Sequence, residues 1–373
     1  LDTKRDSYEN RDELHGVIPS HHFEFIKTVN DSTANHFIEE WSNNIKKNKR
    51  FWRKHKKLRD LTGLGRGKAV IGIGAGGSFN KNKDVLKHFV TSGVGKSFIT
   101  IAANHQLKPL LEMGVVPDYV LLVDSSDVVM DQLTKDIPEE ASRTQLITGA
   151  YANPKVIKEW DKQGRGVVFF TPAIAWGREI AKKYLKRGYV DHEIELGGNV
   201  LNAALMIGCG VLQSSVFMGV GNDLSFGLND DLDKQRKGYY ADGDYSTNIG
   251  TGQDEGVSDK RWLGFSMERK GTKHYSFTLN KVGVSETLWA YKVWLECTMM
   301  GLTKEPIYLN YFNCTEGGVL GVMAKEEGDK ALADPNNWYF LDSVCINEHT
   351  EKPMYMTTML EDAINMCLEG KQR

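Results

Sequence analysis

Between residues 20 and 60, apolar side chains return at three- and four-residue steps: Phe23, Phe25, Ile26 and Val29, then Phe37, Ile38, Trp41 and Ile45. That is the period of a helix with one buried face. The glycine-rich run from Thr62 to Gly67 marks a hinge after it. Beyond residue 68 the pattern changes to short, wholly apolar runs separated by amphipathic stretches. Strands are expected at residues 69–73, 98–103, 119–123, 145–148, 167–170 and 215–220, and helices at 84–90, 107–113 and 200–212. Strands that are apolar on both faces and alternate with helices form a parallel sheet covered on both sides. The expected fold class is therefore α/β: a doubly wound, mostly parallel, Rossmann-like sheet over residues 67–226, preceded by an N-terminal helical arm (1–66). From 227 to 262 the pattern gives way to Gly, Asp and Asn, and a loop of that length in an enzyme usually serves function. Strands at 274–279 and 307–312, with helices at 286–300 and 357–368, make a C-terminal α+β extension (263–373) that completes the site. Trp289 and Trp294 are expected in the core.

Composition narrows the classes. Over 373 residues, 40% apolar and 26% charged positions are those of a globular protein. No run reaches the ~18 apolar residues of a membrane span, and the polar residues 1–6 lack the apolar run of a signal peptide, so secretion by that route is not expected. The five cysteines are odd in number, scattered and without a C-x-x-C pair, as in a reducing compartment, so a cytoplasmic location is expected. A net charge of −2 excludes binding of nucleic acid by bulk charge. Locally, residues 46–59 carry nine Lys and Arg around Phe51 and Trp52. Two roles are open for them: docking an acidic partner or nucleic acid, or a solvated helix face whose aromatics pack on the core.

The strand at 69–73 runs into Gly72-Ile73-Gly74-Ala75-Gly76-Gly77-Ser78, which satisfies G-x-G-x-x-G between a strand and a helix. Such glycines let backbone N–H groups reach an anion, which the helix dipole also favours. A dinucleotide site needs a carboxylate at the end of the next strand, and Asn104 stands there, so the NAD type is disfavoured. Gly95-Lys96-Ser97 imitates a P-loop, but Val90 replaces the required glycine and a strand follows; it is a turn. Asp124, Ser125 and Asp127 end the strand at 119–123. Gly197-Gly198-Asn199 opens the helix at 200, and Gly221-Asn222-Asp223 follows the strand at 215–220. All converge on the carboxyl edge of one sheet, where such folds bind ligands.

Three blocks carry a resemblance. The first is 72–79 with Ala102-Ala103-Asn104, Leu107-Lys108-Pro109 and Gly114-Val115-Val116-Pro117-Asp118, closing on Val123-Asp124. The second is Gly197-Gly198-Asn199-Val200 with residues 219–226, and the third Asn313-Cys314-Thr315-Glu316-Gly317-Gly318. Together they resemble the family that unites motility accessory factors of flagellin glycosylation with 6-hydroxymethyl-dihydropterin diphosphokinases. Two departures stand out. Gly76-Gly77-Ser78 replaces a Gly-Pro-Ser, and residues 239–245 lack the histidine that usually follows the second block.

The resemblance implies two reactions. In the first, a glycosyltransferase takes a nucleotide-activated sugar, by analogy a CMP-activated nonulosonic (sialic-like) acid, to a hydroxyl on a glycan or macromolecular acceptor. Its nucleotide would rest on Gly74, Gly76, Gly77, Ser78, Asn104, Asp124, Ser125, Gly197, Gly198, Asn199, Thr315 and Gly317. The candidate bases are Asp223, Glu316, His105 and His192. In the second, a diphosphokinase holds Mg²⁺ on Asp124 and Asp127 across a nucleoside triphosphate and transfers its terminal diphosphoryl group to a pterin-like hydroxymethyl substrate, releasing the nucleoside monophosphate. The Thr315-Glu316-Gly317-Gly318 block favours the first. A third possibility is a non-catalytic or nucleic-acid-associated module docking through residues 46–59. Asp242 and Asp244 are expected in a solvated turn, and His21, His22 and His36 at the surface.

Overall fold

The computed structural model describes residues 20–173, 175–185, 193–225, 261–270, 274–283, 286–304, 307–324, 338–347 and 349–370. His21, His22, His192 and the 227–262 loop with Asp242 and Asp244 lie outside the residues or side chains described.

Helix α1 (Ser20–Lys54) leads into the short strand β1 (Lys56–Lys57). An alternating series follows: β2 (Ala69–Ile73), α2 (Phe79–Thr91), β3 (Phe98–Ala103), α3 (Leu107–Glu112), β4 (Tyr119–Leu122) and α4 (Val129–Leu133). It continues through β5 (Gln145–Gly149), α5 (Pro154–Lys162), β6 (Val167–Pro172), α6 (Ala175–Leu185), β7 (Glu193–Ile194), α7 (Val200–Met206) and β8 (Val216–Val220). Then come the hairpin β9 (Arg261–Lys270) and β10 (His274–Gly283), helix α8 (Glu286–Leu302) and strand β11 (Asn310–Asn313). A second hairpin, β12 (Val322–Ala324) with β13 (Trp338–Phe340), precedes α9 (Leu341–Val344), β14 (Tyr355–Thr357) and α10 (Leu360–Gly370).

The central sheet runs β1-β6-β5-β4-β3-β2-β8-β11-β14, with β7 beside β6, and its pairs are parallel. Every residue of β2, β3 and β4 is buried, which explains their apolar runs, and Thr100 among them donates its hydroxyl to Asp118 Oδ2 (2.9 Å). The pleat divides them between two cores. On one face Val70 and Ile101 join Trp52, Trp160 and Trp294 from α1, α5 and α8. On the other, Ile71, Ile73 and Met218 pack with Leu86 of α2 and Ile364 of α10. The fold is the doubly wound α/β sheet that the sequence indicates.

Three features differ from the sequence expectation. The sheet does not stop at residue 226, because β11 and β14 extend it past β8. The second half of α1 is a layer of the core: Asn48 is fully buried, and its Nδ2 donates to the carbonyls of Ala150 (3.0 Å) and Ala152 (2.8 Å). The expected hinge at 62–67 is fastened, with the N–H groups of Gly63 and Gly65 bonded to the carbonyls of Val211 and Leu212. Within residues 46–59, Phe51 and Trp52 are buried while Lys46, Lys47, Arg50, Arg53 and Lys54 are exposed, as for a solvated face over docked aromatics. Among the described residues no helix is long and apolar enough to cross a membrane.

From β2 the chain steps outward through β3, β4, β5 and β6, then returns to place β8 on the other side of β2. That reversal opens a crevice at the carboxyl ends of β2 and β8, where doubly wound sheets bind ligands.

Candidate functional site

A cleft of about 270 Å³ occupies this crevice, near the small end of the range for small-molecule sites. Its walls are Gly74, Ala75 and Gly76 after β2, Asn104 and His105 after β3, and Asp124 and Ser126 after β4. Gln132 of α4, Gly198 and Asn199 before α7, residues 221–224 after β8, and Leu288 and Tyr291 of α8 also line it, with apolar side chains between them.

The glycine loop is built differently from an open anion cradle. Its Gly74 N–H donates to the carbonyl of Val220 (2.8 Å) and its Gly76 N–H to that of Gly221 (2.9 Å). The Ser78 N–H donates to Asp223 Oδ2 (2.9 Å), and the Ser78 hydroxyl to the other carboxylate oxygen. The anion at the start of α2 is thus the protein's own Asp223, so the expected phosphate contact of Ser78 is already taken. The glycines serve the same arrangement. A Cβ at Gly74 would lie 2.4 Å from the Gly221 carbonyl oxygen, and one at Gly76 2.6 Å from Asp223 Oδ1. Burial pushes the Asp223 carboxyl up, against the two Ser78 bonds and the nearby Lys81 ammonium.

The 313–318 block buttresses this arrangement from behind. Cys314 N–H reaches the Gly219 carbonyl (2.8 Å), Lys81 Nζ the Glu316 carbonyl (2.6 Å), and Val319 N–H the Asp223 carbonyl (3.0 Å). Thr315 and Glu316 are buried, and neither they nor Gly317 line the cleft, so the roles expected for them there do not match their positions. Beyond the block, α8 carries a buried ion pair. Lys292 Nζ lies 2.6 Å from Glu296 Oε2 and donates to the Val322 carbonyl (2.9 Å), while Glu296 Oε1 accepts the Gly321 N–H (2.9 Å).

The group after β4 is divided. Asp124 is exposed on the cleft and accepts the Ser126 N–H through Oδ1 (2.8 Å). Asp127 lies off it, bonded to Lys155 Nζ (2.6 Å) and Asn153 Nδ2 (2.8 Å). A magnesium ion shared by Asp124 and Asp127 therefore does not fit these positions. Ser125 is buried off the cleft and accepts the Trp41 indole N–H (3.0 Å), which ties α1 down. Among the described residues no three His, Cys, Asp or Glu side chains are placed to hold a metal.

Gly197 lies behind the cleft under Trp294, and Gly198 (φ +85°) lies against the Tyr291 ring, where a side chain would clash. Asn199 caps α7, its Oδ1 accepting the Asn202 N–H (2.8 Å). Of the expected residues, Gly74, Gly76, Asn104, His105, Asp124, Gly198, Asn199 and Asp223 meet at the cleft. Gly77, Ser78, Ser125, Asp127, Gly197, Thr315, Glu316 and Gly317 do not line it. Asn222 lines the cleft within the Gly221-Asn222-Asp223 group, while Gln132 and Tyr291 were not indicated by any motif. Gln132 bridges two indicated residues: Asn104 Nδ2 donates to Gln132 Oε1 (2.5 Å), and Gln132 Nε2 lies 3.2 Å from His105 Nδ1. The lining is mostly amide, hydroxyl and apolar groups; its carboxylates are Asp124 and Asp223, and it includes no Lys or Arg among the described residues.

Residues 39–227 match the family described as 6-hydroxymethylpterin diphosphokinase MptE-like. No curated protein matches the chain. Among solved structures, the MAf glycosyltransferase from Magnetospirillum magneticum AMB-1 is similar at 14% identity and a TM-score of 0.45, over 71% of this chain and 37% of that one. The chain thus spans little more than a third of that protein.

Proposed function

The chain belongs to the 6-hydroxymethylpterin diphosphokinase MptE-like family, and from that premise we propose that it is a transferase that takes a nucleotide-activated sugar in the cleft between β2 and β8. The finer assignment is a CMP-activated nonulosonic acid passed to an acceptor hydroxyl. The observation that carries the proposal is the cleft itself: it sits at the switch point and offers neutral hydrogen-bonding groups (Asn104, Asn199, Asn222, Tyr291) for a base and a sugar. In such a transfer the acceptor oxygen bonds to the anomeric carbon as the bond from that carbon to the phosphate oxygen breaks. The acceptor's proton leaves to a base, and the electron pair goes with the nucleotide. Asp223 is engaged by Ser78 and Glu316 lies off the cleft, so among the described candidates His105 and Asp124 are the side chains on the cleft that can exchange a proton. Among the described residues the lining holds no Lys or Arg, and N–H and O–H donors are the groups there that can meet the charge on the departing phosphate.

A second activity, diphosphoryl transfer, is named in the family's description. The carboxylate of Asp124 on the cleft favours it, since it suits a nucleoside triphosphate carried with Mg²⁺. Thermal-shift titration with CMP, UDP, GDP and ATP, each with and without Mg²⁺, separates the two. Glycosyl transfer predicts stabilisation by CMP without metal, about 2.7 kcal/mol at a hundredfold excess over Kd. A response to ATP with Mg²⁺ alone would transfer the assignment to the diphosphokinase. No response to any of the four would refute a nucleotide site.

A further inference from the structure

We propose that Tyr291 binds the phosphate of the nucleotide, its phenol O–H donating to a phosphate oxygen in the cleft. The role rests on the nucleotide site proposed above and names the group within it that meets the charge.

The pair Gly197-Gly198 seats two aromatic rings of α8. Both glycines are left-handed, with φ of +60° and +85°. A Cβ at Gly197 would lie 2.3 Å from the Trp294 ring, and one at Gly198 2.1 Å from Cδ1 and Cε1 of Tyr291. The two rings stand three residues apart on one helix face, and each fits where a glycine leaves room. Asn202 fastens the seat to α8, since its Nδ2 donates to the carbonyls of Gly197 (2.6 Å) and Tyr291 (3.1 Å). The ring carbon that bears the hydroxyl, Cζ, is 3.1 Å from the same Cβ position at Gly198. Gly198 and Tyr291 both line the cleft, so the hydroxyl end of the ring lies at its wall.

Several other donors around the cleft are already committed. The N–H groups of Gly74 and Gly76 serve the carbonyls of Val220 and Gly221, and Asn104 Nδ2 serves Gln132 Oε1. Asn199 spends its Oδ1 on the cap of α7, and its Nδ2 is sealed from solvent. Among the described residues the Tyr291 hydroxyl has no hydrogen-bond partner, and it is not one of the sealed polar atoms. Burial pushes the phenol up to about 12, so its proton stays in place through the neutral range. A phosphate oxygen accepts hydrogen bonds, and a hydroxyl that keeps its proton donates to it without transferring it. The lining holds no Lys or Arg among the described residues, which leaves the charge to donors of this kind. During transfer the bond strengthens as negative charge gathers on the departing phosphate.

Tyr291→Phe keeps the ring in its seat and removes only the hydroxyl. Calorimetric titration of CMP and of cytidine into both proteins separates the phosphate from the rest of the nucleotide. The expected result is CMP binding weakened about ten- to a hundredfold, the size of a hydrogen bond to a charged group, with cytidine binding unchanged. An unchanged melting temperature of the variant excludes a folding defect as the cause. If cytidine binds neither protein, the phosphate supplies the affinity and the CMP loss alone decides. Equal losses for CMP and cytidine would overturn the proposal, because the hydroxyl would then meet the base or ribose; so would unchanged CMP binding. If ATP with Mg²⁺ binds in place of CMP, the sugar-nucleotide assignment fails, and the same comparison is made with ATP and adenosine. If the unaltered protein binds none of CMP, UDP, GDP and ATP, the nucleotide site itself fails and this role with it.

Discussion

The Asp223 carboxylate accepts both the backbone N–H and the hydroxyl of Ser78, residues that lie 145 positions apart in the chain. Through this pair the loop after β8 closes the first turn of α2, a place where a side-chain cap normally comes from the adjacent residue. Replacing Asp223 with Asn leaves one nitrogen donor facing the donors of Ser78. A loss of about 2 kcal/mol in unfolding free energy is expected, in line with hydrogen bonds to charged groups. Urea denaturation of Asp223→Asn, Ser78→Ala and the double variant measures it. The double variant should cost less than the sum of the singles; additive losses would show that the two residues do not act together.

Gly76→Ala tests why the glycine loop is glycine. Its new Cβ would lie 2.6 Å from Asp223 Oδ1 and 2.7 Å from the Gly221 carbonyl oxygen, so the β8 loop must move. The expected cost is about 1–3 kcal/mol, as for other overpacked sites. Gly93→Ala meets nothing within 4 Å and serves as the control, with a melting temperature close to that of the unaltered protein.

The ion pair of Lys292 and Glu296 is almost wholly out of solvent, at 1% and 0% side-chain exposure. Burial pushes the Glu296 carboxyl up, and Lys292 with the Gly321 N–H pulls it back down. Removing one partner, as in Glu296→Leu, strands the Lys292 charge and should cost about 3–5 kcal/mol. The double variant Lys292→Met/Glu296→Leu should recover most of that in a thermal melt, because matched apolar groups need no solvation. A double variant as unstable as the single would mean that the pair is needed for its contacts to Gly321 and Val322.

Acidification should loosen the junction of α1 with α5. There Asp161 Oδ1 lies 2.5 Å from Lys54 Nζ and 2.8 Å from His55 Nε2. Burial holds the His55 imidazole below its ordinary value, more strongly than Asp161 raises it. The Lys54 hydrogen bond holds the Asp161 carboxyl below the usual carboxylate range. Both folded values lie below the unfolded ones, so in each window the unfolded chain binds more protons and stability rises with pH. The His55 contribution is complete above about 6.5 and is lost as pH falls toward its folded value; that of Asp161 is lost below about 3.9. Melting temperatures measured from pH 7 to pH 5 should fall less steeply in His55→Gln.

Much of this architecture was legible because β2, β3 and β4 are short, wholly apolar runs, a pattern that only a sheet covered on both faces explains. What escaped has a common cause: it depends on partners far away in the chain. Tyr355-Met356-Thr357 shows no apolar run, and it is a strand only because β11 lies beside it. The G-x-G-x-x-G spacing signals close backbone approach, and nothing local says that the approaching group is Gly221 and not a phosphate. Thr315, Glu316 and Gly317 form a distinctive block, yet their distinctiveness reflects the fit against α2 and the Asp223 backbone. Gln132 carried no signal at all, since one amide on a short helix is indistinguishable from any other until Asn104 and His105 are placed beside it.

The position of β8 has a consequence for how the chain matures. This strand pairs with β2 on one side, but its other edge is satisfied by Asn310–Asn313, whose own far edge awaits Tyr355–Thr357. As the polypeptide leaves the ribosome, the sheet up to Val220 can form while one apolar edge stays open to any neighbouring strand. Once Asn313 has emerged β11 covers the edge next to the cleft, and Tyr355–Thr357 then covers β11. Nascent chains whose emerged part ends between residues 226 and 309 therefore expose that edge.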